Sequence, residues 1–175
     1  MLHRMALSLL FVTGLAFAGP AGEAGRYMET DEYLSSIFPD AVPADKTLWV
    51  AGDLREGVER MLGHRFASLR VRYWFDGTTS AWILDEIGKE LPITIGVSVS
   101  QGAVENVRVL EFRESRGWEV RYPFFTNQFV AVRLGPDERL DRRIDGITGA
   151  TMSVGAVTRI ARVALLLHEH VTKAD

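Results

Sequence analysis

The fold is decided by residues 93–112, which read ITIGVSVSQGAVENVRVLEF. In the first half, branched apolar residues alternate with small or polar ones, a period typical of a strand that buries one face. The pair Gln101-Gly102 then predicts a turn, and the chain returns through residues 104–112. These residues therefore predict a β-hairpin, and with it an antiparallel sheet at the centre of the chain.

Neighbouring segments extend this sheet. Residues 69–75 alternate in the same way, Asp76-Gly77 is a hairpin turn signal, and residues 80–84 predict the return strand. Residues 124–134 predict one further strand after the central hairpin.

Helices are predicted on both sides of the strands. One covers about residues 30–38, and a second covers residues 54–62, with Asp53 as its N-cap and Gly63 as its stop. The last helix covers about residues 153–171 and carries one apolar stripe. The order of helices, strands and helix predicts an α+β fold with a largely antiparallel sheet.

The N-terminus has the pattern of an export signal. Residues 1–18 combine a short positive end, an apolar stretch and a small-residue cleavage site, so we expect a cleaved signal peptide and a periplasmic protein. An uncleaved membrane anchor is the alternative. Residues 19–66 are expected to form a tether and a helical segment, and residues 67–175 the main domain.

Composition excludes several classes of function. The net charge is −3, and the absence of a basic run predicts no Lys/Arg-rich face and no nucleic-acid partner. No cysteine occurs, which excludes disulfides, thiolate-bound clusters and a thiol nucleophile. His168 and His170 are two residues apart and do not share a helix face, so no metal site is predicted.

The segment before the last helix is the strongest candidate for a binding site. It is rich in glycine and hydroxyl residues and runs directly into the helix, whose N-terminal N–H groups suit a phosphate. The candidate cofactor-binding residues of this segment are Asp145, Gly146, Thr148, Gly149, Ala150, Thr151 and Ser153. The glycines allow positive φ, and the Asp145 carboxylate can bond nearby backbone amides. An ordinary capped loop remains the alternative on these grounds.

The string Asp-Gly-Ile-Thr-Gly-Ala-Thr-x-Ser resembles the flavinylation motif of the FMN-binding domain family. That family includes the C subunit of the sodium-translocating NADH:quinone reductase and the G subunit of the Rnf complex. The resemblance implies that Thr151 carries FMN covalently through a phosphoester, loaded from FAD by a separate flavin transferase. It covers roughly residues 80–171.

The resemblance also extends upstream of the motif. A segment with Glu114 and Gly117 matches the family in those two residues, and differs in the pair between them. Glu114 is expected to accept a hydrogen bond from the flavin or from a loop amide. Arg113 and Arg116 are candidates to contact flavin or phosphate, and Lys89 to approach the ring or a redox partner.

The flavin ring needs a partly apolar slot, and aromatic residues are candidates for its wall. The candidates are Trp118, Phe124, Phe125 and Trp82. The resemblance implies an exported electron carrier that relays electrons between a membrane-bound redox partner and an acceptor. Two alternatives stay open: a flavin reductase that acts on a diffusible acceptor, and a non-redox binding module whose motif is only a helix cap.

Overall fold

The computed structural model describes residues 24–174. Within that range the strands are β1 (Gly25–Arg26), β2 (Asp45–Trp49), β3 (Arg70–Phe75), β4 (Thr79–Ile87), β5 (Pro92–Ser100) and β6 (Ala103–Phe112). The helices are α1 (Thr30–Ile37), α2 (Gly52–Leu62), α3 (Pro123–Thr126) and α4 (Thr151–Ala174). The six strands form one antiparallel sheet in the order β1-β6-β5-β4-β3-β2. The predicted α+β fold with a largely antiparallel sheet is confirmed.

Both predicted hairpins are present. Gln101 and Gly102 connect β5 to β6 with φ values of 50° and 71°, the left-handed region that tight turns use. The turn between β3 and β4 is held by Asp76, whose Oδ1 accepts the backbone N–H groups of Thr78 and Thr79 at 2.8 Å each. An aspartate that bonds amides two and three residues ahead explains why Asp-Gly signals a turn here.

Helices cover both faces of the sheet. The apolar sides of α2 and α4 pack on one face and form the larger core with strand residues such as Trp82 and Ile95. On the opposite face, α1 contributes Tyr33, whose ring packs on Gly96 so closely that a Cβ there would lie 2.7 Å from it. The sheet is therefore buried on both faces at its centre.

The strand predicted over residues 124–134 is wrong. A 3₁₀ turn at Trp118–Arg121 leads into α3, and a second 3₁₀ turn follows at Asn127–Phe129. Pro123 lies at the start of α3, where a missing N–H costs nothing. Phe125 and Phe129 are both fully buried and touch edge to face, so tertiary packing holds these short helical turns.

Helix boundaries differ slightly from the predictions. Gly63 ends α2 with φ 78°, as predicted, but the N-cap position is Ala51 and Asp53 lies in the first turn. Helix α4 begins at Thr151, two residues earlier than predicted.

The N-terminal region contributes more structure than predicted. β1 pairs with the end of β6, and β2 pairs with all of β3 except its last residue. Both strands lack a strong alternation in the sequence. The predicted signal peptide lies outside the described residues, and the predicted domain boundary remains a prediction. None of the helices in residues 24–174 combines the length and hydrophobicity that a membrane span requires.

Candidate functional site

The glycine-containing segment forms a tight turn that ends where α4 begins. Gly149 has φ 82°, and the N–H of Ala150 donates to the carbonyl of Ile147 at 3.0 Å. Ala150 is buried, whereas Thr148 and Gly149 are exposed. The small buried side chain of Ala150 fixes the turn to the body of the protein and leaves the residues on either side of it open to a ligand.

Thr151 is the first residue of α4, and it is exposed. The first intrahelical hydrogen bond runs from the N–H of Val154 to the carbonyl of Ala150 at 2.9 Å. The N–H groups of Thr151, Met152 and Ser153 precede that bond, so the helix itself offers them no acceptor. Together with the positive end of the helix dipole, they favour an anionic group close to the Thr151 hydroxyl.

A groove of about 350 Å³ runs along this helix start. One wall is formed by residues 149–153, and the other by the turn between β4 and β5 and by the segment that follows β6. The facing residues are Lys89, Glu90, Glu114, Ser115 and Arg116. The structure therefore brings Glu114 and the motif together, although they are far apart in sequence.

Glu114 holds the turn between β4 and β5. Its Oε1 accepts the backbone N–H groups of Lys89, Glu90 and Leu91 at 2.6, 2.6 and 2.9 Å, and the residue is only 6% exposed. Burial alone would raise the pKa of the carboxyl, but the three amides and the charge of Lys89 outweigh it and lower the pKa. Glu114 is thus a charged anchor that accepts loop amides.

Two glycines allow close contacts around the groove, one within the wall that contains Glu114 and one between that wall and α4. A Cβ at Gly88 would lie 2.9 Å from Oε1 of Glu114. A Cβ at Gly117, where φ is 89°, would lie 2.5 Å from Oγ of Ser153. Ser153 is buried, so its hydroxyl belongs to the packing beneath the groove. The sequence reasoning did not single out Gly88, and no local turn signal identifies it.

Two predicted details of the motif are wrong. Gly146 does not adopt positive φ, and a Cβ there would meet no atom within 4 Å. The Asp145 carboxylate makes no hydrogen bond to backbone amides within residues 24–174; instead, the N–H of Asp145 donates to Oε1 of Gln128 at 2.7 Å. A side chain from the preceding 3₁₀ turn therefore holds this loop, because that turn packs beside it.

The aromatic candidates for the flavin wall separate into two groups. Trp82 and Phe125 are fully buried in the main core, where Trp82 stacks on Tyr73 at 4.8 Å, so neither is available to a ligand. Phe124 is 62% exposed, and Trp118 is partly exposed directly after Gly117. Of the four candidates, only Trp118 and Phe124 keep exposed ring surface, and neither lines the groove itself.

The cationic candidates also differ in position. Arg113 donates to the Pro92 carbonyl at 3.0 Å and pairs with Glu111 at 2.7 Å, so it faces the sheet edge. Lys89 and Arg116 line the groove, and Lys89 lies 3.2 Å from Glu90. Among the three, these two can approach a phosphate bound at Thr151.

One charged surface contradicts the prediction of no Lys/Arg-rich face. Arg139, Arg142, Arg143 and Arg162 line a groove of about 280 Å³ beside the loop that precedes the motif. The signal was present in the sequence as three arginines within five positions, but Arg162 joins them only through the packing of α4.

His168 is buried within 2.8 Å of Ser80 Oγ, and burial lowers its pKa, whereas His170 is exposed.

Comparison with known families identifies the domain that contains the groove. Residues 88–166 match the sequence model of the FMN-binding domain. Residues 88–166 are thus similar to FMN-binding domains. Every residue that lines the groove lies inside the matched range, from Lys89 to Ser153. The matched range includes β5, β6, α3 and most of α4, whereas β1 to β4 and the first two helices precede it. No curated protein matches the chain.

Proposed function

We propose that the chain is an exported electron-transfer flavoprotein that carries FMN covalently on Oγ1 of Thr151. One observation carries this proposal. Within a domain of a family that binds FMN, an exposed threonine stands at the first position of α4 and borders a groove of about 350 Å³. The hydroxyl is accessible, and the helix N–H groups beside it favour the negative charge of a phosphodiester.

The groove fits the phosphate end of FMN. The N–H groups of residues 151–153 can hold phosphate oxygens, and Lys89 and Arg116 add positive charge from the opposite wall. Glu114 is already engaged with three amides, and so it fixes the turn that carries Lys89. When bound, FMN supplies the electron-transfer chemistry, and the protein supplies position and electrostatics.

Attachment requires a flavin transferase and FAD. The Thr151 oxygen replaces AMP on the FMN phosphorus of FAD: a new P–O bond forms, the pyrophosphate bond breaks, AMP leaves and the hydroxyl proton passes to a base or to water. The flavin transferase must reach the acceptor oxygen from the solvent, and Thr151 is exposed to solvent. A covalent bond also prevents loss of the cofactor to a dilute periplasm, which is where the export pattern of residues 1–18 directs the chain.

The proposed role is relay between a membrane-bound redox partner and an acceptor. The partly exposed Trp118 and the exposed Phe124 lie after Gly117, so an apolar surface is available to the ring outside the buried core. A flavin ring near the surface can exchange electrons with a docked protein and does not require a closed substrate pocket.

Intact mass after co-expression with an active flavin transferase tests the attachment. We expect the mature chain to gain the mass of FMN less one water and to show flavin absorbance, and Thr151→Ala to gain neither. Thr78→Ala is the matched control, since Thr78 is an exposed threonine outside the motif, in the turn between β3 and β4, and should load normally. Thr151→Ser should load less completely, because the hydroxyl remains and the methyl group is lost.

Specific outcomes would contradict the proposal. Full loading of Thr151→Ala excludes the attachment residue. An unmodified, colourless chain beside a transferase that loads a known acceptor favours the non-redox binding module. Steady-state turnover of the purified holoprotein with a soluble donor and a diffusible acceptor favours a flavin reductase.

A further inference from the structure

The sheet divides between β3 and β4. These strands pair over only three residue pairs, from Tyr73 with Trp82 to Phe75 with Ser80. Beyond Trp82, β4 continues to pair with β5 through Ile87, while among residues 24–174 the start of β3 pairs only with β2. The two strands that are neighbours at the hairpin therefore separate and leave an opening inside the sheet.

This opening is a cleft of about 580 Å³ between Arg70–Arg72 of β3 and Ile83–Ile87 of β4, here called the strand cleft. The loop after α2 borders it, but among the described residues no backbone hydrogen bond joins that loop to β4. The loop is instead tied to α2, since Arg55 donates to the carbonyls of Phe66 and Ser68. Space beside β4 therefore remains.

The backbone of β4 presents a free edge to the strand cleft. In an antiparallel strand, alternate residues direct their N–H and C=O groups to opposite sides. From Ile83 to Ile87 one side is paired with β5, and the other side faces the cleft. The carbonyl of Ile87 accepts from Arg159, at the far end of the cleft. An unpaired edge of this kind is a template for an extended peptide.

The side chains around the cleft differ between its two faces. Toward the main core it is lined by apolar groups of Leu62, Phe66 and Leu84. Toward the opposite face it is lined by the exposed arginines Arg70 and Arg72. A strand alternates its side chains between two faces, so a peptide with apolar and acidic residues in alternation would complement both.

The acidic residues of the cleft already have partners. Oε1 of Glu86 accepts from Arg159 at 2.7 Å and lies 3.1 Å from Nε2 of His64. Oδ1 of Asp85 accepts the hydroxyl of Thr94 at 2.5 Å. Thr94 leaves the charge of Asp85 in place, but Arg65, Arg70 and Arg72 also line the cleft, so its rim is positive on balance and favours an acidic ligand.

We propose that the strand cleft binds an extended segment of a partner protein, which adds as a strand to the free edge of β4 with alternating apolar and acidic side chains. Except for Pro92, the residues that line the cleft precede the range that matches the FMN-binding domain. It thus forms a docking surface separate from the groove at Thr151, and its occupancy does not depend on flavin.

The test uses the purified mature chain without flavin and the synthetic peptide acetyl-Val-Asp-Val-Glu-Val-Asp-amide. Amide hydrogen exchange followed by NMR should show unprotected amides on the cleft side of Ile83–Ile87, and these should become protected when the peptide is added. A peptide N-methylated at alternate amides should lose binding, because it cannot donate to the edge of β4. A Lys-substituted version should bind more weakly because it repels the arginines.

Variants locate the binding. Arg70→Glu and Arg72→Glu should each weaken the acidic peptide by about tenfold, since a charge is reversed at the interface. Arg139→Glu is the matched control, an exposed arginine in a different groove, and should bind as the wild type does. If the charge-reversal variants lose their fold by circular dichroism, salt dependence of wild-type binding replaces them.

The proposal is overturned by any of three results. The cleft-side amides of β4 are already protected in the free chain, the N-methylated peptide binds as well as the parent, or the peptide shifts resonances away from β3 and β4. Loss of flavin loading in Thr151→Ala leaves all these measurements unchanged, so the two proposals fail separately.

Discussion

Gly117 lies directly against Ser153, and a Cβ on Gly117 would be 2.5 Å from the Oγ of that serine. Gly117 directly follows the segment that forms one wall of the groove, and Ser153 belongs to the opening turn of α4. The same glycine adopts φ 89°, which disfavours any side chain. Contact between these two residues thus fixes how closely the two walls approach.

Gly117→Ala should therefore be costly for two separable reasons. Strain at positive φ and overpacking against Ser153 together should lower the free energy of unfolding by about 2–4 kcal/mol. Gly63→Ala is the matched control, because Gly63 has φ 78° but no atom within 4 Å of an added Cβ. It should lose only about 1 kcal/mol. Urea denaturation measures both, and equal losses would show that the contact with Ser153 is unimportant.

The Glu114 carboxylate should make stability depend on acid pH. Glu114→Gln replaces three charge-assisted bonds with weaker ones and should cost about 1–2 kcal/mol near pH 7. Because the folded-state pKa is lowered, the wild-type advantage is full above the ordinary glutamate pKa of about 4.3 and is lost as pH falls through the folded value. Thermal melts from neutral to acid pH measure this.

Glu90→Gln provides the control for that series. Glu90 is exposed and pairs with Lys89 on the surface, so its loss should change the melting temperature little at any pH. A difference between Glu114→Gln and wild type that stays constant down to the lowest pH would contradict a charged Glu114.

The buried ion pair between Glu86 and Arg159 should be sensitive to loss of the cation. The Glu86 side chain is 2% exposed and lies 2.7 Å from Nε of Arg159. Arg159→Met leaves that carboxylate without its main partner and should cost on the order of 3 kcal/mol by urea denaturation. Adding Glu86→Gln to Arg159→Met should recover part of the loss. Arg142→Met, at an exposed arginine, should change little.

His64 should add a dependence on neutral pH. The pKa of the imidazole is raised, first by its hydrogen bond to the Arg65 carbonyl and second by its hydrogen bond to Glu86. Its contribution is full below the ordinary histidine pKa of about 6.5 and is lost as pH rises through the folded value. Wild type should therefore exceed His64→Gln in melting temperature near pH 6 and approach it near pH 9. Parallel curves across this range would contradict the prediction.

The elements predicted from the sequence were those with a strong local signal. Residues 93–112 alternate and contain a turn, and the structure holds them as β5 and β6. In contrast, residues 124–134 contain apolar residues without a clear period, and burial of Phe125 and Phe129 favours short helical turns. The sequence did not predict β2 because four of its five residues are exposed or polar. Pairing with β3, and not its own composition, makes this segment a strand.

The site shows the same limit. The motif and the helix start are contiguous, so a local pattern identified Thr151 and the turn at Gly149. The opposite wall depends on contacts between distant residues. The three amides on Glu114 and the close approach at Gly88 arise from how the end of β6 meets the turn after β4. No residue spacing along the chain predicts these contacts of Glu114 and Gly88.

The two-residue strand β1 has a consequence for orientation. Gly25 and Arg26 pair with Phe112 and Glu111, two to three residues before Glu114. The described chain thus starts at the end of the sheet that carries the groove. A protein that bound the chain at Ala24 would therefore lie at the same end of the sheet as the groove, so exchange between the two would need no path across the sheet.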